Sequence, residues 1–170
     1  ALGQRAAVWD VRLVRDKVYR RRVWTRIGLP QPDYEDCERL EEARKAANRF
    51  GDCVIKPVAM MGSCGVRRVD GTSPDEVEAA FAAAGSENFD AEDLRDAFGI
   101  SPRVIVEQFI DCKLELSVEA AVSDGKVHVL AMVKKHTRDQ YRFEEIGHET
   151  PLHLDERLER SILAQLESAL

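Results

Sequence analysis

Residues 53–66, CVIKPVAMMGSCGV, constrain the fold of this chain more than any other stretch. The stretch opens with a short apolar run that predicts a buried strand, carries Lys56 at the end of that strand, and breaks at Pro57. A Gly-Ser-Cys-Gly run at residues 62–65 follows, and a strand pattern resumes over residues 66–69. This order predicts a flexible loop between two antiparallel strands, with a lysine held in place beside the loop.

The loop and its lysine have two interpretations that these residues do not separate. Glycines let a backbone approach a ligand and turn its N–H groups outward, and polyphosphate is the commonest ligand of such a loop beside a fixed lysine. The same residues also fit a plain hairpin with a glycine-rich turn and a lysine that extends to solvent. Both interpretations stay open at this point.

Length and composition predict a soluble globular protein. The chain has 170 residues, enough for one ordinary domain or two small lobes, and 44% of them are hydrophobic and 33% charged. Its apolar runs are shorter than a membrane span, and the N-terminal residues lack the apolar stretch of a secretion signal. We therefore expect a cytoplasmic protein with no membrane partner.

Charge and cysteine spacing exclude further classes of function. The net charge of −6 argues against nucleic acid as a partner, and we interpret the basic cluster at residues 20–22 as the solvated face of a helix. The four cysteines include no CxxC pair, and the four histidines lack zinc-site spacing. We expect free thiols and no structural metal.

Hydrophobic periodicity predicts an alternation of helices and strands. Asp16 is a good N-cap for a helix that ends before Gly28 and Pro30, and the GLPQPDY segment predicts an extended connector. The Asp-Gly pair within residues 123–126 predicts a tight hairpin between two alternating strands. The remaining predicted helices cover residues 36–50, 74–84, 91–98 and 151–170, and the remaining strands cover residues 103–109, 114–122, 127–135 and 142–146.

The order of these segments resembles the nucleotide-binding core of the ATP-grasp superfamily. The likeness rests on Asp16-Lys17, GLPQP, FGDCVIKPVAMMGSCGV, VIVEQFI and LELSVEAAVSDGKV, and it covers residues 16–155. It is strongest to the carboxylate–amine ligases, such as the amino-acid (dipeptide) ligases and the biotin carboxylase and carbamoyl-phosphate synthase branch. The resemblance implies an α+β fold in which two lobes with antiparallel sheets enclose a nucleotide cleft.

The resemblance also implies a domain organisation. Residues 1–24 would be a linker helix region from a preceding domain, and residues 25–102 the small lobe with the glycine-rich loop. Residues 103–170 would begin the large lobe, with the C-terminal part of the fold missing. We expect the chain to be the middle of a longer enzyme and to be inactive by itself.

Carried over residue by residue, the resemblance implies an ATP site. Lys17 and Lys56 would contact the α- and β-phosphates, Glu107 would accept from the exocyclic amine of adenine, and Glu115 would bind the ribose. The remaining implied nucleotide contacts are the loop residues Met61, Gly62, Ser63 and Gly65 and the hinge residues Gln108, Phe109 and Ile110. Taken by themselves, Glu107 and Glu115 also fit charges on solvated strands.

The chain departs from the family pattern where relatives bind Mg²⁺. An acidic residue on a later strand and a Glu-x-Asn signature cannot be placed before Leu170, so we expect the Mg²⁺ ligands in the missing C-terminal part and assign no metal ligand here. Arg142 and His148 lie where relatives place groups for the carboxylate substrate or the acyl-phosphate. A surface loop is the alternative interpretation of both residues.

The function that the resemblance implies is ATP-dependent ligation. The parent enzyme would convert a small carboxylate to an acyl-phosphate with ATP and Mg²⁺, and an amine or thiol would then displace the phosphate. The alternative is a non-catalytic nucleotide-binding or interaction module on the same scaffold. The sequence names neither the carboxylate nor the acceptor, and a homo-oligomer is left open.

Overall fold

The computed structural model describes residues 13–86, 103–124, 126–138 and 143–169. Its helices and strands with described bounds are, in chain order, α1 (Lys17–Arg26), β1 (Tyr34–Cys37), α2 (Leu40–Phe50), β2 (Asp52–Pro57), β3 (Arg67–Asp70), α3 (Pro74–Ser86), β4 (Val104–Gln108), β5 (Leu116–Ser123), β6 (Lys126–Thr137), β7 (Glu145–Glu149) and α4 (Glu156–Ala169).

The strands form two separate antiparallel sheets. The first has the order β1-β4-β2-β3, and the second has the order β5-β6-β7. Strands β2 and β3 pair as the two arms around the glycine-rich loop, as predicted. The mixture of helices and antiparallel sheets confirms the predicted α+β class.

Helices α2 and α3 cover one face of the first sheet. They meet the sheet through small side chains, which let the helices approach closely; the buried alanines are Ala43, Ala46, Ala47, Ala80 and Ala84. Gly71 follows β3 at a point where a Cβ atom would lie 2.0 Å from the Ala47 carbonyl oxygen. Because that oxygen belongs to the backbone, any larger residue at position 71 would force the helix away from the sheet.

Helix α1 is fixed on the other face of the same sheet. Val18, Val58 and Ile105 form a second buried cluster there, and Tyr34 packs against it. Asp16 caps the helix as predicted: its carboxylate accepts from the Tyr19 N–H at 2.9 Å. This cap fixes the start of α1, and with it the side chain of Lys17, next to the end of β2.

The second sheet is built on the predicted hairpin. Ser123 pairs with Lys126, and Asp124 has the positive φ of 51° that a two-residue turn requires. Glu119 pairs with Ala131, whereas Ala120 pairs with Val129, so Leu130 is the extra residue of a β-bulge. Leu130 is 72% exposed.

Two predicted boundaries near the first sheet were wrong. The structure has the strand β1 from Tyr34, whereas the sequence predicted a connector up to that residue and a helix from residue 36. Helix α2 instead begins at Leu40, where the Glu42 carboxylate accepts from the backbone N–H groups of Glu38 and Arg39. These bonds satisfy donors at the helix start, and the residues before it are free to pair with β4.

Two predicted boundaries near the C-terminus were also wrong. Strand β7 covers Glu145–Glu149 rather than residues 142–146. Helix α4 begins at Glu156 rather than at residue 151, because the Asp155 carboxylate caps it by accepting from the N–H groups of Arg157 and Leu158. The short helix predicted at residues 91–98 lies outside the described residues.

The first sheet extends beyond residue 102, where the sequence predicted the boundary between the two lobes. Strand β4 lies beyond residue 102, but it pairs with β1 and β2 in the first sheet. Helix α1 likewise continues across the division between residues 24 and 25. The chain passes to the second sheet between β4 and β5, which makes residues 109–115 the connection between the sheets.

No helix in the described residues is both long enough and apolar enough to span a membrane.

Candidate functional site

A cleft of about 530 Å³ lies where the two sheets and the glycine-rich loop meet. Its walls come from α1, from β2, from the loop after β2, from residues 107–113 and from β6. The buried strands β2 and β4 are adjacent in the first sheet, so the side chains at their ends are held on a rigid support. Charged groups and apolar groups both face the cleft.

Lys17 enters the cleft from the first turn of α1. Its ammonium donates to the backbone carbonyls of Pro57 at 2.9 Å, of Val58 at 3.4 Å and of Met60 at a short distance. Burial, together with the positive charges of Lys56 and Arg20, lowers the pKa of Lys17 to about 8. Burial therefore disfavours the charged form of Lys17, which lies where the glycine-rich loop begins.

Lys56, Glu107 and Arg21 form a buried triad beside it. Nε and Nη2 of Arg21 both donate to Oε1 of Glu107, at 3.0 and 2.7 Å, and Nζ of Lys56 pairs with Oε2. Only 6% of the Glu107 side chain is exposed, against 14% for Arg21 and 20% for Lys56. Two cations thus share one carboxylate, which leaves the triad with a net positive charge.

The pKa values of the triad follow from this arrangement. Burial pushes the pKa of Glu107 upward, but the charges and hydrogen bonds of Lys56 and Arg21 outweigh it and hold that pKa below its usual range. Burial lowers the pKa of Lys56, and the Glu107 carboxylate opposes this shift. Glu107 is therefore ionised at neutral pH and serves as the counter-ion of the two cations.

The glycine-rich loop adopts left-handed backbone conformations. Gly62, Ser63 and Gly65 have φ values of 66°, 59° and 68°. A Cβ atom on Gly62 would have no neighbour within 4 Å, so the backbone conformation explains this glycine better than crowding does. The Ser63 hydroxyl donates to the Phe143 carbonyl at 2.8 Å, which joins the loop to the chain just before β7.

Residues 108–110 form another part of the cleft wall. The N–H of Gln108 donates to the Asp33 carbonyl at 2.9 Å, and the N–H of Phe109 donates to the Asp52 carbonyl at 3.0 Å. The ring of Phe109 lies 6.2 Å from that of Phe143, centroid to centroid. The Arg68 guanidinium lies over the Phe109 ring, 3.6 Å from its centre, so this part of the cleft offers a fixed backbone and an aromatic side chain that is already partly covered.

The residues predicted for a nucleotide site lie together with one exception. Both lysines, the loop residues Met61, Gly62 and Ser63, the segment 107–110, and Glu115 all line the cleft. Gly65 instead lines an adjoining cavity of about 720 Å³, together with Arg67, Glu144 and Glu145.

Of the two residues predicted for the carboxylate side, the structure describes only His148. His148 is on β7, half-exposed, with Nε2 3.2 Å from Oε2 of Glu145, and it is not among the residues that line the cleft. Arg142 lies outside the described residues. Within the described ranges, no group of three or more His, Cys, Asp or Glu side chains stands together as a metal site would require.

Sequence reasoning placed Arg21 on the solvated face of a helix, and this was wrong, because only 14% of its side chain is exposed and it pairs with Glu107. The signal was present, because Arg21 follows Lys17 by four residues in a helix predicted to begin at Asp16, and residues four apart share a helix face. Its partner Glu107 is 86 residues away in the sequence, and nothing in the local pattern connects the two.

The chain belongs to the ATP-grasp family: residues 50–169 match the ATP-grasp domain. Curated relatives share part of this region. The chain is 40% identical over 105 residues to a formate-dependent phosphoribosylglycinamide formyltransferase of Rhodococcus jostii, and the match covers 59% of this chain and 23% of that protein. The corresponding protein of Methanocaldococcus jannaschii is 33% identical over 106 residues, covering 62% and 24% of the two chains. The chain thus spans about a quarter of the length of these relatives.

Solved structures share the fold over most of the described chain. An L-amino acid ligase from Bacillus licheniformis matches with a TM-score of 0.70 and 28% identity, covering 92% of this chain and 36% of that one. The biotin carboxylase domain of a Hydrogenobacter thermophilus 2-oxoglutarate carboxylase matches with a TM-score of 0.72 and 20% identity, covering 92% and 33%. These matches confirm the predicted ATP-grasp fold.

Proposed function

We propose that the cleft binds ATP and that the chain is the ATP-binding region of a longer ligase. That enzyme would activate a small carboxylate as an acyl-phosphate and transfer the acyl group to an amine or a thiol. The observation that carries this proposal is the convergence of two buried ammonium groups, from α1 and from β2, on one cleft beside a loop of left-handed backbone. ATP would supply the phosphoryl group that activates the carboxylate.

The donor set of the cleft fits a polyphosphate. Lys17 and Lys56 are both held at a cost by burial, and an approaching anion relieves that cost. Ammonium groups act as point charges and suit phosphate oxygens without strict bidentate geometry. We therefore assign the phosphate contacts to Lys17 and Lys56, and a phosphate oxygen would replace one of the backbone carbonyls that the Lys17 ammonium contacts without ligand.

The segment from Gln108 to Glu115 fits the base and the sugar. Phe109 and the backbone of Gln108 and Ile110 would contact adenine, and Glu115 would bind the ribose hydroxyls. The sequence assigned Glu107 to the exocyclic amine of adenine, but both of its carboxylate oxygens are engaged by cations. We therefore assign recognition of the base to the hinge backbone and give Glu107 the role of counter-ion.

The loop would act as the cover of the phosphate site. The Ser63 hydroxyl donates to the Phe143 carbonyl, so the loop is joined to the chain just before β7. Exclusion of water strengthens the electrostatic contacts of phosphate and protects an acyl-phosphate from hydrolysis. We propose this role for residues 60–65.

The names of the relatives suggest the substrate class. The curated relatives are formate-dependent formyltransferases, and the ligase from Bacillus licheniformis acts on amino acids by its name. We propose a small carboxylate, with formate as the first candidate. The Hydrogenobacter domain was solved with MgADP, and Mg²⁺ would accompany the nucleotide here, but the described residues contain no cluster to which we assign it.

Titration with a non-hydrolysable ATP analogue, with and without Mg²⁺, tests nucleotide binding. We expect binding by the wild type and weaker binding by Lys56→Ala, with Lys45→Ala as the matched control because Lys45 is an exposed lysine on α2. Failure of the wild type to bind contradicts the proposal.

Hydroxylamine trapping tests formation of the acyl-phosphate. The full-length enzyme is incubated with ATP, hydroxylamine and either formate or an amino acid, and a hydroxamate is expected. Nucleotide binding without a hydroxamate would favour a non-catalytic module.

A further inference from the structure

We propose that Arg21 is a positioning residue for Lys56 and acts through the carboxylate of Glu107. The inference rests on the ATP-binding function proposed above, because it assigns Arg21 the task of keeping Lys56 available to phosphate. Arg21 itself is not among the residues that line the cleft, whereas Glu107 and Lys56 both are.

The two carboxylate oxygens of Glu107 have different partners, Arg21 at Oε1 and Lys56 at Oε2. Its guanidinium approaches Oε1 of Glu107 with two N–H groups, Nε at 3.0 Å and Nη2 at 2.7 Å, so Arg21 occupies this one oxygen with two charge-assisted hydrogen bonds. Only Oε2 is then directed at Lys56. Without the guanidinium, both oxygens would be free to turn to the ammonium and to neutralise it as a simple pair.

The balance of charge gives the same result. Glu107 carries one negative charge against the two positive charges of Arg21 and Lys56, so one positive charge remains to attract an anion. Loss of Arg21 would leave a neutral Lys56–Glu107 pair at the end of β2. In a site with little solvent, such a difference in charge strongly affects the affinity for phosphate.

Helix α1 carries both Arg21 and Lys17, the second lysine of the cleft. Lys17 and Arg21 are four residues apart and share a helix face, and the buried Val18 fixes the helix against the sheet. The Arg21 carbonyl also accepts from the Gln31 amide at 3.1 Å, which ties this turn of the helix to the segment before β1. One rigid helix thus presents both Lys17 and the partner of Glu107.

The test measures the affinity of the full chain for a non-hydrolysable ATP analogue by calorimetry. Arg21→Met should weaken binding about tenfold, the cost of one charge-assisted phosphate contact. Arg21→Lys keeps the cation but loses the paired N–H contacts of the guanidinium to Oε1, so it should weaken binding about threefold, less than Arg21→Met does. Arg22→Met is the matched control, because Arg22 is an exposed neighbour on the same helix that pairs with Asp36, and it should change affinity less than about twofold.

A double variant separates positioning from direct phosphate contact. If Arg21 acts through Glu107, adding Arg21→Met to Glu107→Gln should weaken binding by less than about twofold beyond Glu107→Gln. A further tenfold loss would show direct contact and overturn the proposal. Because Glu107→Gln also leaves Lys56 without its counter-ion, circular dichroism checks the fold of every variant, and Arg21→Lys carries the test if Arg21→Met does not fold.

A second measurement does not use nucleotide. The pKa of the Lys56 ammonium is followed by NMR in the ligand-free wild type and in Arg21→Met, and it should be higher in the variant because the whole Glu107 carboxylate then faces Lys56. An unchanged pKa, or an unchanged affinity for the analogue in Arg21→Met, overturns the role of Arg21. A wild type that fails to bind the analogue overturns the proposed function instead, so the two failures are distinguishable.

Discussion

Raising the pH from 7 to 9 should weaken ATP binding about tenfold, because Lys17 loses its proton in this range. The ammonium of Lys17 is buried at the start of α1, and burial with the charges of Lys56 and Arg20 lowers its pKa to about 8. A neutral amine has no charge for a phosphate oxygen. It also has only two N–H groups for the three carbonyls that the ammonium contacts after β2.

The magnitude follows from the protonated fraction. With a pKa of about 8, roughly nine in ten Lys17 side chains are protonated at pH 7 and roughly one in ten at pH 9. If only the protonated form binds, the apparent dissociation constant rises by the ratio of these fractions. Since the folded pKa lies below the ordinary value of 10.5, deprotonation relieves the cost of burial, so this group raises the free energy of unfolding as the pH passes 8. Deprotonation of Lys17 should therefore weaken ATP binding between pH 7 and pH 9 without unfolding the protein.

The assay is calorimetric titration of the ATP analogue at half-unit steps of pH, with circular dichroism at each step. Lys17→Arg is the control, because a guanidinium keeps its charge throughout the range and its binding should vary much less. Ionisation of phosphate on raising the pH acts in the opposite direction and cannot produce the loss. Affinity that is constant from pH 7 to pH 9 in the wild type, or an equal decline in Lys17→Arg, would refute the assignment of Lys17.

Three further predictions concern the same cleft. Lys56→Ala should weaken the ATP analogue by about tenfold or more in calorimetry, and unchanged affinity would count against the phosphate role. Glu107→Ala should lower the free energy of unfolding in urea by about 3–5 kcal/mol, because it leaves two buried cations without their carboxylate. Glu78→Ala, at an exposed ion pair, should cost less than about 1 kcal/mol, and equal losses would contradict the argument. Ser63→Ala removes the hydrogen bond to the chain before β7 and should speed amide exchange in residues 60–65, whereas exchange as slow as in the wild type would show that other contacts hold the loop.

The sequence predicted elements whose signals are local. The Asp16 cap, the strand that ends near Lys56 and the hairpin at residues 123–126 each depend on neighbouring residues, and the structure has all three. Strand β1 shows the limit of this approach. Its four residues, YEDC, contain little of the apolar alternation that identifies a strand, and they are extended because they pair with β4.

The sequence by itself determined the family resemblance, the two lysines and the glycine-rich loop, since each is a property of residue types at short spacing. Only the tertiary structure decided the state of Glu107. Its two cationic partners come from α1 and β2, and burial makes their charges strong enough to control its pKa. Electrostatic energies depend on the distance between charges and on the exclusion of solvent, and the local sequence of one strand determines neither of these.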